Sequence, residues 1–273
     1  MRTLALLWLR LAVVSPLRLA VTGAGGYLGA EIACAAAEQG HAVRAVVRPS
    51  HAIDHLPASV EIVVCEDLTD MAVAREVADG MDVVIHAASV FRKCDDMEAE
   101  MVRPNIALAE SMVCACAAAG CRLVLTSSMA AVRGTGQAPL RPPAYTADDW
   151  NVVSQRDGPG FEPYQYSKVA SERRAWELAR EVGLELVTLC PSMIFGPPRS
   201  ERVHGLSVRM VQSWVDGLAP VQSRLVVDVR DCAQVSSRDL GRWTPPPLSS
   251  RSLGRWSRMR PRNEPQSTHN GSQ

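Results

Sequence analysis

Three of the four glycines in the segment VTGAGGYLG, spaced Gly23-x-x-Gly26-x-x-Gly29, separate an apolar run from an Ala-rich run. Glycine permits a tight turn from strand into helix and lets the backbone come close to a bulky anion. The helix that follows directs its unbonded amides and the positive end of its dipole at that anion. The residues up to Thr22 read as a short, doubly buried strand, and those after the turn read as a helix. This order predicts the first βα unit of a parallel sheet, with the pyrophosphate of a dinucleotide held at Thr22, Gly23, Gly26, Tyr27, Leu28 and Gly29.

The same alternation continues downstream. Strand-like runs recur at Leu17–Thr22, Ala42–Val47, Glu61–Cys65, Asp82–His86, Arg122–Thr126 and Glu185–Leu189. Helix-length segments are expected at Gly26–Glu38, Asp70–Asp79, Met97–Ala119 and Pro163–Val182, the last opening on a proline where an amide would otherwise go unbonded. Short buried strands separated by helices imply an α/β, doubly wound (Rossmann) parallel sheet covered on both faces. Its ligand crevice lies at the carboxyl ends of the strands.

The end of the second strand bears on cofactor choice. A carboxylate there would hold the ribose hydroxyls of NAD, but the chain reads RAVVRPS and places Arg48 at that point. A guanidinium suits an adenosine 2′-phosphate, so NADP(H) is expected in preference to NAD(H), which the site can still admit; Arg44 is a second candidate. The chain contains two lysines, Lys93 and Lys168, against 27 arginines. Lys168 falls four residues after Tyr164 in PYQYSK, so on a helix the two side chains share a face and can both reach the crevice.

Together these segments resemble the extended branch of the short-chain dehydrogenase/reductase superfamily, the NAD-dependent epimerase/dehydratase family. Within it they are most similar to dihydroflavonol 4-reductases and cinnamoyl-CoA reductases. The resemblance rests on VTGAGGYLG, the acidic stretch Glu66 to Asp70, DVVIHAAS, LVLTSSMAAV, DDWN, PYQYSKVASERRAWELA, LCPSMIFGPP and VVDVRDCA, which stand in the family's order over residues 18 to 235. It implies that Asp67 and Leu68 border an adenine, that Ala87 and Ala88 line the cofactor, and that the Pro191 loop closes near the nicotinamide. It also implies a catalytic set of Ser128, Tyr164 and Lys168. Lys168 would hold the nicotinamide ribose and lower the tyrosine pKa, Tyr164 would protonate a carbonyl oxygen as hydride arrives, and Ser128 would hydrogen-bond that oxygen. Ser127 and Tyr166 are neighbouring alternatives, but the family pattern favours the second serine, and only Tyr164 has the spacing to lysine. His86 takes a structural place at a strand end.

The implied activity is NADP-dependent reduction of a small-molecule aldehyde or ketone. A nucleotide-sugar epimerase or dehydratase and a truncated NADP-binding relative without turnover are the alternatives. Pairing of two copies through the helices near the Tyr/Lys segment is implied by the resemblance alone.

Composition and the chain's two ends complete the expectations. Equal numbers of acidic and basic residues, 29 of each, give no overall pull toward nucleic acid. The eight cysteines form no C-x-x-C pair or zinc spacing, which suits reduced thiols in a cytoplasmic protein without a metal. Residues 1–16 are apolar but too short to span a bilayer, so no membrane role is expected, and they read as an N-terminal extension. The Rossmann domain is expected over 17–191 and a partial, incomplete substrate lobe over 192–235. An Arg/Ser/Pro-rich disordered tail is expected over 236–273, where SSRDLGRW and SSRSLGRW nearly repeat.

Overall fold

The computed structural model describes residues 15–92, 94–200, 205–220 and 225–237. Most of the expected N-terminal extension, Lys93 and nearly all of the expected tail lie outside the described residues.

Six strands form one sheet: β1 (Arg18–Thr22), β2 (Ala42–Val47), β3 (Glu61–Val64), β4 (Val83–His86), β5 (Arg122–Thr126) and β6 (Leu186–Leu189). All pairings are parallel, and the order is β3-β2-β1-β4-β5-β6. The chain reverses its direction of winding between β1 and β4, so the crevice opens beyond Thr22 and His86, where neighbouring crossovers leave in opposite directions.

Alternating residues of each strand feed two cores. Leu19, Val21, Ala45 and Ile85 pack beneath α1 (Tyr27–Glu38), whereas Ala20, Val46, Val84 and Leu123 pack against the helices on the other face. Those helices are α2 (Met71–Ala78), α3 (Arg103–Ala119) and α5 (Glu162–Val182), α5 being preceded by the single turn α4 (Met129–Val132). α5 opens with Pro163 and ends at Gly183, whose left-handed φ of 69° terminates it.

The segment expected as one helix over 97–119 is two pieces. A π-helical turn, Glu98–Val102, precedes α3. Pro104 brings no amide hydrogen to the helix, and its ring crowds the preceding turn, which widens to accommodate it.

Beyond β6 a two-stranded parallel sheet pairs β7 (Met193–Phe195) with β8 (Val226–Asp228), flanked by α6 (Leu206–Val215). α6 buries none of its residues. One boundary moves. The last helix, α7 (Val229–Ser237), packs on α1 and buries Val229, Cys232 and Ala233. It therefore belongs to the layers of the large sheet rather than to the lobe, because its apolar face meets the small-residue face of α1. Ser236 and Ser237, expected to start the tail, are fully buried in it.

Two contacts fasten the loop after β7 over the first helix. The Tyr27 hydroxyl donates to the Gly196 carbonyl (2.6 Å), and Arg199 forms a two-pronged ion pair with the buried Glu31 (2.6 and 2.8 Å).

Candidate active site

A cleft of about 620 Å³ runs along the carboxyl ends of the strands. At its centre, Gly23 adopts a φ of +73°, and a Cβ there would lie 2.8 Å from the amide nitrogen of Ala88. The turn after β1 and the end of β4 can approach this closely only around a glycine. At Gly29 a Cβ would lie 2.1 Å from the Gly23 carbonyl oxygen, so α1 starts directly against the turn. No side chain caps α1 at Gly26. With no side-chain acceptor at the cap, its first-turn amides are left for a bound anion, the arrangement that suits a diphosphate.

Gly23, Gly26, Tyr27, Leu28 and Gly29 all line the cleft. Thr22 does not. It is fully buried, its hydroxyl lies 2.7 Å from His86 Nδ1, and it accepts a longer bond from the Ala88 amide (3.4 Å). Thr22 therefore braces the crevice from below. Burial, reinforced by the charge on Lys168, lowers the His86 pKa to about 3, so this imidazole is neutral and structural.

The two arginines near β2 separate clearly. Arg48 lines the cleft just past the strand end, its Nη2 3.0 Å from His51 Nε2. Arg44 points away: it pairs with Glu61 and donates to the carbonyls of Glu76, Val77 and Asp79, closing the end of α2. Arg44 does not line the cleft, and its Nε and Nη1 donors are engaged by Glu61 and by the orphan carbonyls of a helix terminus. Asp67 and Leu68 line the cleft beyond β3, and Ala87 and Ala88 line it beyond β4. The Asp67 carboxylate accepts from the side chain and amide of Thr69, which holds its pKa below the usual value.

At the opposite end of the cleft Ser128, Tyr164, Lys168 and Pro191 come together. Ser128 is the N-cap of α4, its oxygen accepting from the Ala130 amide (3.1 Å), and this leaves its own proton to donate. Ser127 turns inward and donates to Glu172 at 2.5 Å. Glu172, fully buried one helical turn after Lys168, also accepts from Thr188 (3.1 Å). Tyr166 does not line the cleft. Tyr164 packs on Phe91, with ring centroids 4.2 Å apart.

Lys168 is 7% exposed and donates from Nζ to Ser89 (2.9 Å), whose hydroxyl in turn donates to the buried Asn105 (3.0 Å). Desolvation lowers the Lys168 pKa to about 8. Desolvation raises that of Tyr164 to about 12, with the Ser128 hydrogen bond pulling the other way. The expected lowering of the tyrosine by lysine is not what this geometry produces. The ammonium lies 6.0 Å from the ring centroid, its bond goes to Ser89, and burial outweighs it.

Ser89, Asn105, Glu172 and His51 were not legible as site residues. They join the site through contacts 15 to 79 residues apart in sequence or, for His51, through packing against the glycine turn, where a Cβ on Gly25 would lie 2.5 Å from it. Among the described residues, no His/Cys/Asp/Glu group suits a metal ion, and no helix is long and apolar enough to cross a membrane.

Residues 19–238 match the family described as the NAD dependent epimerase/dehydratase family. Cinnamoyl-CoA reductase 1 of Arabidopsis thaliana is 33% identical over 227 residues, an alignment covering 78% of this chain and 63% of that protein. The bifunctional dihydroflavonol 4-reductase/flavanone 4-reductase of Malus domestica is 28% identical over 214 residues, covering 74% and 59%. The chain thus spans less than two thirds of the length of these relatives. Among solved structures, Gre2 from Candida albicans in complex with NADPH superimposes with a TM-score of 0.68 at 26% identity, covering 81% of this chain and 73% of that one.

Proposed function

Because this chain belongs to the NAD dependent epimerase/dehydratase family, we propose that it is an NADP(H)-dependent oxidoreductase that reduces an aldehyde or ketone. The observation that carries this reading is the single cleft joining an uncapped glycine turn and Arg48 at one end to Ser128, Tyr164 and Lys168 at the other. The nicotinamide nucleotide, when bound, supplies the hydride. The first-turn amides of α1 hold its diphosphate, Arg48 meets the 2′-phosphate, and the Lys168 ammonium, fixed by Ser89, serves the ribose. Tyr164 gives its phenolic proton to the carbonyl oxygen as the carbonyl carbon is reduced, and Ser128 donates a hydrogen bond to the same oxygen. A tyrosine raised to about 12 is fully protonated at neutral pH, the form that a reduction requires. The reductase names of the relatives and the NADPH held by the Candida protein support the assignment.

Arg48 weighs against a nucleotide-sugar epimerase or dehydratase, whose NAD would be better served by a carboxylate at that point. The exposed apolar surface of α6 favours, as the second reading, an NADP-binding relative without turnover. Titration of nicotinamide fluorescence, followed by assay of carbonyl-dependent NADPH oxidation, separates them. Tight NADPH binding with oxidation supports the reductase, binding without oxidation the second reading. Binding of neither NADPH nor NADH removes both.

A further inference from the structure

Arg133 lines the same cleft as Ser128 and Tyr164 and, among the described residues, has no carboxylate partner. It directly follows α4, the one-turn helix that Ser128 opens, and its amide donates to the Met129 carbonyl (3.0 Å). Asn151 ties the same turn down, its side chain and amide donating to the carbonyls of Ala130 and Ala131 (2.8 and 2.9 Å). The next residue is equally constrained, since a Cβ on Gly134 would lie 2.3 Å from Val153 and 2.6 Å from Asn151. The backbone carrying Arg133 is thus fixed relative to the Ser128 hydroxyl.

The side chain is propped, with its guanidinium carbon 5.4 Å from the centroid of the Tyr145 ring. Among the described residues it enters no ion pair. The acidic residues lining the cleft, Glu66 and Asp67, follow β3, whereas Ser128 follows β5. Four strand spacings separate β3 from β5 in the sheet, roughly 19 Å. At the Tyr164 end the charged lining residues are therefore Lys168 and Arg133, and the rest of the wall sets the apolar Phe91, Met193, Ile194 and Leu206 among uncharged polar side chains. Lys168 is engaged with Ser89. Arg133 keeps its planar fork of donors free in a partly desolvated wall, where a carboxylate or phosphate is its best complement.

We propose that the carbonyl substrate carries an anionic group, a carboxylate or a phosphate, on an apolar body, and that Arg133 binds this group while the carbonyl meets Tyr164 and Ser128. This rests on the reductase reading above and adds the substrate class to it.

The test uses the full chain with NADPH and three aldehydes of similar shape: 4-carboxybenzaldehyde, 4-formylphenyl phosphate and methyl 4-formylbenzoate. Binding of 4-(hydroxymethyl)benzoate and its methyl ester to the NADP⁺-loaded chain is measured calorimetrically alongside. The expected result is a kcat/KM at least about tenfold higher for one of the anionic aldehydes than for the ester, the better of the two identifying the anion. Arg133→Gln brings that ratio near one, and Arg133→Lys, with charge but no fork, retains part of it. A ratio near one in the unmodified chain, or one unchanged by Arg133→Gln, overturns the inference. If no aldehyde is reduced, the reductase reading fails, and the binding arm then decides. Carboxylate binding that exceeds ester binding and is lost in Arg133→Gln sustains the anion site, and equal binding of the two removes it.

Discussion

Replacing Gly29 with alanine tests the close approach on which the cofactor cradle depends. Gly29 is buried in the first turn of α1, and an added Cβ would lie 2.1 Å from the carbonyl oxygen of Gly23, 2.6 Å from its carbonyl carbon and 3.0 Å from the amide nitrogen of Ala24. All three neighbours are backbone, so no side chain can swing aside. Relieving the contact requires α1 to retreat from the turn by roughly 1.4 Å, since unbonded heavy atoms sit about 3.5 Å apart at best. Overpacking of this kind costs about 1–3 kcal/mol, and backbone neighbours place Gly29→Ala near the upper end. In a domain of this size each kcal/mol lowers the melting temperature by about 2–4 °C, giving a drop of about 6–12 °C. The same retreat draws the first-turn amides away from the diphosphate, and a misplacement of about 1 Å can cost about a hundredfold, so NADPH affinity should fall at least about tenfold. Gly120→Ala is the control: φ there is +68° and nothing lies within 4 Å, so only left-handed strain of about 1–2 kcal/mol is added, far from the cleft. Thermal melts and nicotinamide fluorescence titrations read both quantities. A Gly29→Ala chain that melts within about 2 °C of the unmodified one and binds NADPH equally well refutes the reasoning.

Other perturbations separate residues that sequence alone leaves equivalent. Arg48→Asp should lower NADPH affinity at least about tenfold relative to NADH, because the guanidinium proposed to meet the 2′-phosphate gives way to a charge of the phosphate's own sign. Arg44→Ala should leave the NADPH/NADH ratio of dissociation constants unchanged while lowering the melting temperature, since three carbonyls at the end of α2 lose their donor; a shifted ratio would reverse the assignment. Lys168→Met should raise the melting temperature at pH 7. The folded pKa of Lys168, about 8, is depressed, so charging it costs stability below about pH 8, and that cost is relieved as pH rises toward 10.5. The gain should therefore shrink over that interval, and a gain independent of pH would contradict it. Glu172→Ala should destabilise by about 2–4 kcal/mol in urea melts, because the buried hydroxyls of Ser127 and Thr188 lose their acceptor. Glu172→Gln, which keeps an acceptor oxygen, should lose less.

The sheet was legible because its signal is local. Buried strands and capped helices are written in apolar runs, glycines and prolines, and the six expected strands match the observed ones to within a residue at either end. That Ser128, Tyr164 and Lys168 line one cleft was legible for a related reason, since Tyr164 and Lys168 share a helix face and Ser128 stands at a strand end. Long-range contacts were not. That Arg44 closes α2 while Arg48 faces the cleft depends on the pairing of β2 with β3 and on where α2 ends, not on anything near either arginine. The inward turn of Ser127 depends on Glu172, which lies 45 residues away and looks in sequence like any polar helix position. The place of α7 was also hidden. Its apolar spacing reads equally well as a lobe element, and only the small-residue face of α1 decides where it packs. The direction of the Tyr164 shift depended on burial, which spacing does not report.

The central claim is that Tyr164 delivers a proton to a carbonyl in a cleft that holds NADPH independently of it. The most direct test is to measure, on Tyr164→Phe and the unmodified chain together, NADPH affinity by fluorescence and carbonyl-dependent NADPH oxidation with 4-carboxybenzaldehyde or its methyl ester. The account predicts that turnover falls at least about a hundredfold while the dissociation constant for NADPH changes by no more than about twofold. Turnover in Tyr164→Phe close to that of the unmodified chain would contradict it.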